Sequence, residues 1–384
     1  MQAFTFQYTP SVLCEPGASS KIGKIVSEMG CKCVAFVTDA GVLGLGLADQ
    51  ALASLKEAGV AVFLFSDVQA DPPRDMILDI SSKARTQGID GVVSLGGGSS
   101  LDTAKLIAVL VKSEQALDEM YGIDQVRGER LPLLLIPTTA GTGSEVTPIA
   151  IVTTGAAEKK GVVARQLLPD WAVLDADLTL GLPAKVTAAT GIDAMVHAIE
   201  AYTSKIKKNS ISDCLAKEAL ALLGGNIRTV CSSGADREAR SSMLLGSMLA
   251  GIAFTNAPVA AVHALAYPLG SRFHIPHGHA NALVLPHVLA FNLPEAEQLY
   301  AEIAPLIFPE LLDKPFAQRA SGLVDGFLRL SGELGLEDRL AQMGILESDL
   351  PGLAADAMKQ TRLLANNPRE MTYEAALRIY QAAH

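Results

Sequence analysis

Asp193 and His197 stand four residues apart in Thr190-Gly191-Ile192-Asp193-Ala194-Met195-Val196-His197, so on a helix a carboxylate and an imidazole project from one face. Their neighbours Ala194, Met195, Val196, Ala198 and Ile199 are apolar, which argues against a surface ion pair. Farther along, His263 lies in a stretch without charge and His277 sits in Ile275-Pro276-His277-Gly278-His279. One Asp and three His in apolar surroundings are explained together by a divalent transition metal. Such an ion suits an O/N₃ donor set, and its charge offsets the cost of burying the ligands. His274, His279, His287 and His384 read as structural or surface residues, with His279 the best placed to support a ligand from behind.

Two glycine-rich turns suggest a second kind of chemistry. Gly91 to Leu95 reads as a strand running into Gly96-Gly97-Gly98-Ser99-Ser100, with a helix from Leu101 to Val111. Glycines at a strand-to-helix turn let backbone amides approach a phosphate, and the positive end of the helix dipole adds to the attraction. Asp102, just inside that helix, either accepts a hydrogen bond from a cofactor or stabilises the helix start. The Leu133 to Ile136 strand leads into Pro137-Thr138-Thr139-Ala140-Gly141-Thr142-Gly143-Ser144-Glu145, which offers four hydroxyls. Loops beyond the carboxyl ends of parallel strands are where open α/β sheets bind ligands. Two of them in one sheet point to a dinucleotide. Asp39 closes the Val34 to Thr38 strand, where a carboxylate hydrogen-bonds an adenosine ribose and repels a 2′-phosphate, favouring NAD over NADP.

The elements that must position these residues fall into two halves. Apolar runs at Cys33 to Thr38, Val60 to Phe65, Gly91 to Leu95 and Leu133 to Ile136 alternate with helical patterns at Ala48 to Ala58 and Arg74 to Gln87. Fully apolar strands alternating with helices predict a parallel sheet covered on both faces. After a last run at Ala172 to Leu174, nearly every segment reads as helix, including Pro183 to Thr203, Ser212 to Leu223 and Arg237 to Phe254. The sequence therefore predicts a Rossmann-like α/β dinucleotide-binding domain at 1–181 and an all-α metal-binding and catalytic domain at 182–384.

Composition narrows the function classes. Lys and Arg number 31 against 41 Asp and Glu, a net charge of −10, and no basic cluster extends beyond Lys205, Lys207 and Lys208, so neither nucleic acid nor an anionic membrane is an expected partner. Between Arg240 and Arg272 no charged residue occurs for 31 positions. Thr255, Asn256, Pro258 and His263 interrupt that stretch, which reads as deep core rather than a membrane span. Met1 to Ser20 contains no basic residue, unlike a secretory or transit peptide, and the expected location is the cytoplasm. Cys14, Cys31, Cys33, Cys214 and Cys231 lack metal-ligand or C-x-x-C spacing and are expected to be reduced thiols.

The Gly96 to Lys105 segment, Pro137 to Pro148, Gly191 to Tyr202, the His263…Pro276-His277-Gly278 pair and Asn367-Pro368-Arg369 together resemble the iron-containing, group III alcohol dehydrogenases. The resemblance runs from about residue 8 to 384 and is nearest the branch holding lactaldehyde reductase and 1,3-propanediol dehydrogenase. It implies an NAD-dependent oxidoreductase acting on a small primary alcohol or aldehyde, with Fe²⁺ as the metal, Zn²⁺ as the alternative, and a homodimer or higher homo-oligomer. By motif position the metal ligands would be Asp193, His197, His263 and His277. The cofactor contacts would be Asp39, Gly97, Gly98, Ser99, Thr138, Thr139, Thr142, Ser144 and Lys159, and Phe254 would border the substrate. Many members carry a second histidine four residues after the one matched by His263; here that place is Tyr267, a phenol that donates a hydrogen bond but does not relay protons near neutral pH. Tyr267 also leaves open a hydroxyacid-oxoacid transhydrogenase or a 4-hydroxybutyrate-type dehydrogenase. A dehydroquinate synthase-like lyase on the same fold would need a basic phosphate pocket, which the helical half does not offer.

Overall fold

A computed structural model describes residues 3–155 and 158–384. By its contacts the chain divides into two units, one formed by 7–139 and 143–180, the other by 3–6, 140–142 and 181–384.

The first unit is built on a six-stranded sheet. Its strands are β1 (Ser11–Cys14), β2 (Cys33–Val37), β3 (Ala61–Phe65), β4 (Gly91–Gly96), β6 (Leu133–Pro137) and β9 (Trp171–Leu174), all paired in parallel in the order β1-β9-β6-β4-β2-β3. Parallel strands are stable only with both faces covered, and alternate residues do supply both faces. Phe36, Leu95, Leu134 and Val173 pack with helices α1 (Ile22–Glu28) and α3 (Asp49–Glu57). Ala35, Val92, Leu133 and Leu135 pack with α4 (Arg74–Thr86) and α5 (Gly98–Lys112). The chain runs from β2 outward to β3 and then returns past β2 to β4, so the order reverses between β2 and β4, the place where such sheets bind ligands. Short helix α2 (Ala40–Gly44) follows β2 there.

The sequence reading did not include a second sheet, β5-β8-β7, made of β5 (Gly122–Ile123), β7 (Ile149–Thr154) and β8 (Glu158–Val163). Glu158, Lys159 and Lys160 open β8, so its apolar contribution rests on Val162, which joins Ala150 and Val152 beneath α4 and α5. A strand with one apolar anchor gives no legible period.

The second unit is helical: α6 (Ala184–Thr203), α7 (Ser210–Ser232), α8 (Arg237–Asn256), α9 (Ala261–Phe273), α10 (His277–Ile307), α11 (Phe316–Glu333), α12 (Leu350–Ala357), α13 (Thr361–Leu364) and α14 (Tyr373–Ala383). Helix α6 is buried on every side from Gly191 to Thr203, as expected of a helix apolar all round, and is flanked by α7, α8 and α10. The stretch free of charge becomes most of α8 and most of α9, two helices bent 107° to each other. Among the described residues no single helix is long and apolar enough to cross a membrane. The five cysteines are unpaired.

One buried acid makes the first unit sensitive to pH. Glu145 is 1% exposed and its Oε1 has no hydrogen-bond partner; burial pushes its carboxyl up to about 7, against the opposing pull of its own backbone and Lys105. Above the ordinary value of 4.5 the unfolded chain releases this proton before the folded one does, so stability falls as pH rises from about 4.5 to 7. Glu145→Gln is expected to remove that loss, worth up to about 3 kcal/mol at 1.36 kcal/mol per unit, measured as the difference in urea midpoint between pH 5 and 8.

Candidate metal and dinucleotide sites

Three helices bring the candidate metal ligands together. Asp193 and His197 lie one turn apart on α6, His263 is in the first turn of α9, and His277 opens α10 after Pro276. Asp193 Oδ1 is 3.9 Å from His263 Nε2 and 3.6 Å from His277 Nε2, and one ligand atom from each residue lies within 4.8 Å of the others. Asp193 and His263 are buried, and His277 is 39% exposed. His197 lies outside that close trio, its ring stacked on His263 at 4.7 Å and on Phe254 at 4.3 Å. Tyr267 meets His263 edge-on at 6.4 Å and His277 at 5.8 Å, so it faces the site as its helical spacing predicts.

The imidazoles are oriented from behind. His197 Nδ1 donates to the Gly141 carbonyl at 3.2 Å, and His263 Nδ1 donates to Glu200 Oε2 at 2.7 Å. Each bond places the proton on Nδ1 and leaves the Nε2 lone pair free for a metal. Burial brings His197 down to about 3, so it is neutral at physiological pH and available as a ligand. For Asp193, burial alone would raise the carboxyl, but His197, His277 and His263 with the Asn281 amide outweigh it and hold the group below the ordinary range. Burial pushes Tyr267 up to about 12, which keeps it a phenol.

Two residues of this cluster were missed in the sequence. Glu200 lies seven residues after Asp193 and three after His197, on the same face of α6, and also accepts from the backbone amides of Ala260 (2.9 Å) and Val262 (2.7 Å) at the start of α9. A third ionisable residue in register on an otherwise apolar helix was the available signal. Asn281, one turn after His277, donates from Nδ2 to Asp193 Oδ1 at 2.6 Å and lies 3.4 Å from His263 Nε2 and 3.3 Å from His277 Nε2. Only glycine fits at 278: a Cβ there would stand 2.3 Å from the Ala189 carbonyl oxygen, so α10 begins in direct backbone contact with α6.

In the first unit, Asp39, Gly97, Gly98, Ser99, Thr138 and Thr139 follow the carboxyl ends of β2, β4 and β6, whereas Lys159 lies on β8 of the second sheet. Gly97 precedes α5, and a Cβ added to it would meet nothing within 4 Å, leaving the turn open to a phosphate, with Gly98 and Ser99 beginning the helix. Asp39 caps α2 by accepting from Val42 N at 3.0 Å. Thr138 is buried, with its amide donating to Gly96 O at 3.0 Å, and Thr139 follows it. Asp102 is engaged internally: Oδ1 accepts from Ser144 Oγ (2.6 Å) and Lys105 Nζ (3.3 Å), and Oδ2 from Ile151 N (3.0 Å). The fully buried Lys105 also donates to Ser144 Oγ (2.8 Å), Thr147 Oγ1 (3.1 Å) and Ile149 O (2.7 Å). Lys159 pairs with Asp71 at 2.7 Å. Thr142 is grouped with the helical unit.

The residues present fit both groups. The O/N donor set, the unprotonated Nε2 atoms of His197 and His263 and the orphaned Asn281 Oδ1 suit a divalent cation, while the bare Gly97 turn at the head of α5 suits a pyrophosphate.

Residues 9–176 match the iron-containing alcohol dehydrogenase model, and residues 187–384 match the C-terminal model of the Fe-containing alcohol dehydrogenase family. The chain is 38% identical to long-chain-alcohol dehydrogenase 1 of Geobacillus thermodenitrificans over 96% of its length and 93% of the relative's. It is 32% identical to the NAD-dependent methanol dehydrogenase of Bacillus methanolicus, covering 98% and 99%. A crystal structure of 1,3-propanediol oxidoreductase superposes with a TM-score of 0.96 at 34% identity, each chain covered in full.

If Glu200 fixes the His263 tautomer, Glu200→Gln should weaken metal affinity by about 10–100-fold, measured by chelator competition. Unchanged affinity would refute that role.

Proposed function

The chain belongs to the iron-containing alcohol dehydrogenase family, oxidoreductases that use NAD and a metal, and on that premise we propose that it transfers a hydride reversibly between NAD(H) and a small primary alcohol or its aldehyde. The convergence of Asp193, His263 and His277 within 4.8 Å, beside Phe254 and Tyr267, carries this reading. Asp193, His197, His263 and His277 would hold the metal, with Fe²⁺ favoured over Zn²⁺ because four protein ligands would close a tetrahedral zinc site to substrate. When bound, the metal supplies Lewis acidity at the alcohol oxygen and NAD supplies the hydride acceptor.

The chain's own residues do the positioning. Gly97, Gly98 and Ser99 would present backbone amides and the positive end of α5 to the pyrophosphate, with Thr138, Thr139, Thr142, Ser144 and Lys159 as further cofactor contacts. Asp102 would contribute by holding Ser144 in place. Asp39 would take the adenosine ribose hydroxyls and repel a 2′-phosphate. Glu200 and Gly141 hold the proton of their histidine on Nδ1. Phe254 keeps water from the His197 ring, and Tyr267 offers an O–H donor without relaying protons near neutral pH. Cytoplasmic action as a homodimer or higher homo-oligomer belongs to the same reading, supported by the family and, for the compartment, by five free thiols.

Metal-replete protein mixed with NAD and a panel of short alcohols is expected to generate NADH absorbance, and no NADH with any alcohol would refute the proposal. Tyr267→His should introduce a limb near pH 6.5 into the kcat profile as an imidazole begins to titrate; an unaltered profile would show that position 267 takes no part in proton handling. Asp39→Gly should raise kcat/KM for NADP relative to NAD by roughly tenfold, equal to about 1.4 kcal/mol, in a competition of the two cofactors.

A further inference from the structure

We propose that the Asn281 carboxamide is a reversible member of the metal site, its Nδ2 end holding the ligands together without an ion and its Oδ1 end turning inward as an additional oxygen donor when one binds. The inference rests on the metal-site reading above. Asn281 is fully buried, yet its two ends are served unequally. Nδ2 reaches Asp193 Oδ1, His263 Nε2 and His277 Nε2 at 2.6, 3.4 and 3.3 Å, whereas Oδ1 has no hydrogen-bond partner among the described residues. Leaving a buried acceptor without a partner costs its full desolvation penalty, and a side chain needed only for packing would not carry one.

The charge arrangement explains the orientation. Rotating the amide end over end about its last side-chain bond would set Oδ1 against Asp193 Oδ1, near the present 2.6 Å of Nδ2. Two oxygens at that separation repel unless a cation lies between them. Without an ion the N–H donors must therefore face the carboxylate and imidazole lone pairs, standing in for positive charge. With an ion the same inward N–H groups would oppose it, and the oxygen is favoured instead. Asn281 is on the helix that carries His277, one turn away, so the amide swings within a fixed ligand frame. An added oxygen favours an ion that accepts more than four ligands. Zn²⁺ is satisfied by four, so the contribution of Asn281 should be larger for Fe²⁺.

The test is metal binding by metal-free full-length protein, followed by chelator competition under anaerobic conditions for Fe²⁺ and Zn²⁺, with Co²⁺ absorption reporting coordination number. Asn281→Ala and Asn281→Leu are expected to weaken Fe²⁺ binding at least tenfold, Zn²⁺ less, and to strengthen the Co²⁺ bands as coordination drops. Asn281→Asp, which keeps an oxygen at the same reach, should retain Fe²⁺ and decides the matter if the shortened variants do not fold in thermal melts. Equal or tighter Fe²⁺ binding by Asn281→Ala or Asn281→Leu, or loss of Fe²⁺ by folded Asn281→Asp, would overturn the proposal. Undiminished Fe²⁺ binding by Asp193→Ala would overturn the metal-site reading itself, and this inference with it.

Discussion

The carboxylate of Glu200, deep in α6, accepts three hydrogen bonds: two from the amides of Ala260 and Val262 and one from His263. A buried carboxylate is tolerable only with such partners, and the partners need it equally. The first amides of a helix have no acceptor within it, so a sharp turn from α8 into a buried helix start would otherwise strand them. The same group therefore anchors the beginning of α9 and sets the orientation of a candidate ligand histidine. Position and chemistry of His263 share one cause.

The α/β unit uses the opposite charge in a similar way. Lys105 has lost all access to water, and its ammonium is held by Asp102, two hydroxyls and a carbonyl. These partners come from α5, from the segment after β6 and from the start of β7. The loop after β6 and the second turn of α5 are thus fastened together inside the protein. Rigid backbone around the turn at Gly97 is what a phosphate site made of amides requires, because amides have no side-chain freedom with which to adjust.

Much of this could be read from the chain. The apolar strands, the glycine turns after β4 and β6, and the helical character after residue 181 follow from local pattern and composition. Asp193 and His197 stand out because polar residues on an apolar helix demand an explanation. Glu200 obeys the same rule but its partners are two amides and a histidine about sixty residues away, which spacing cannot reveal. Asn281 is silent because an asparagine on a helix carries no distinctive pattern until its neighbours in space are known. In the small β5-β8-β7 sheet, β5 is only two residues long and charged residues open β8, and α7 runs to Ser232, beyond the Leu223 read from the sequence, because its last turns are only partly buried.

Gly278 sets a boundary on how this pocket can vary. Its missing side chain lets the first turn of α10 press against the backbone of α6 at Ala189, which fixes the distance from His277 to Asp193. On the proposed reading position 278 would behave as a ruler and position 267 as a dial: enlarging the first would spread the candidate ligands apart, while exchanging the second would alter what greets the substrate and leave the frame untouched. In a lineage of such enzymes, new substrates would be acquired through the dial.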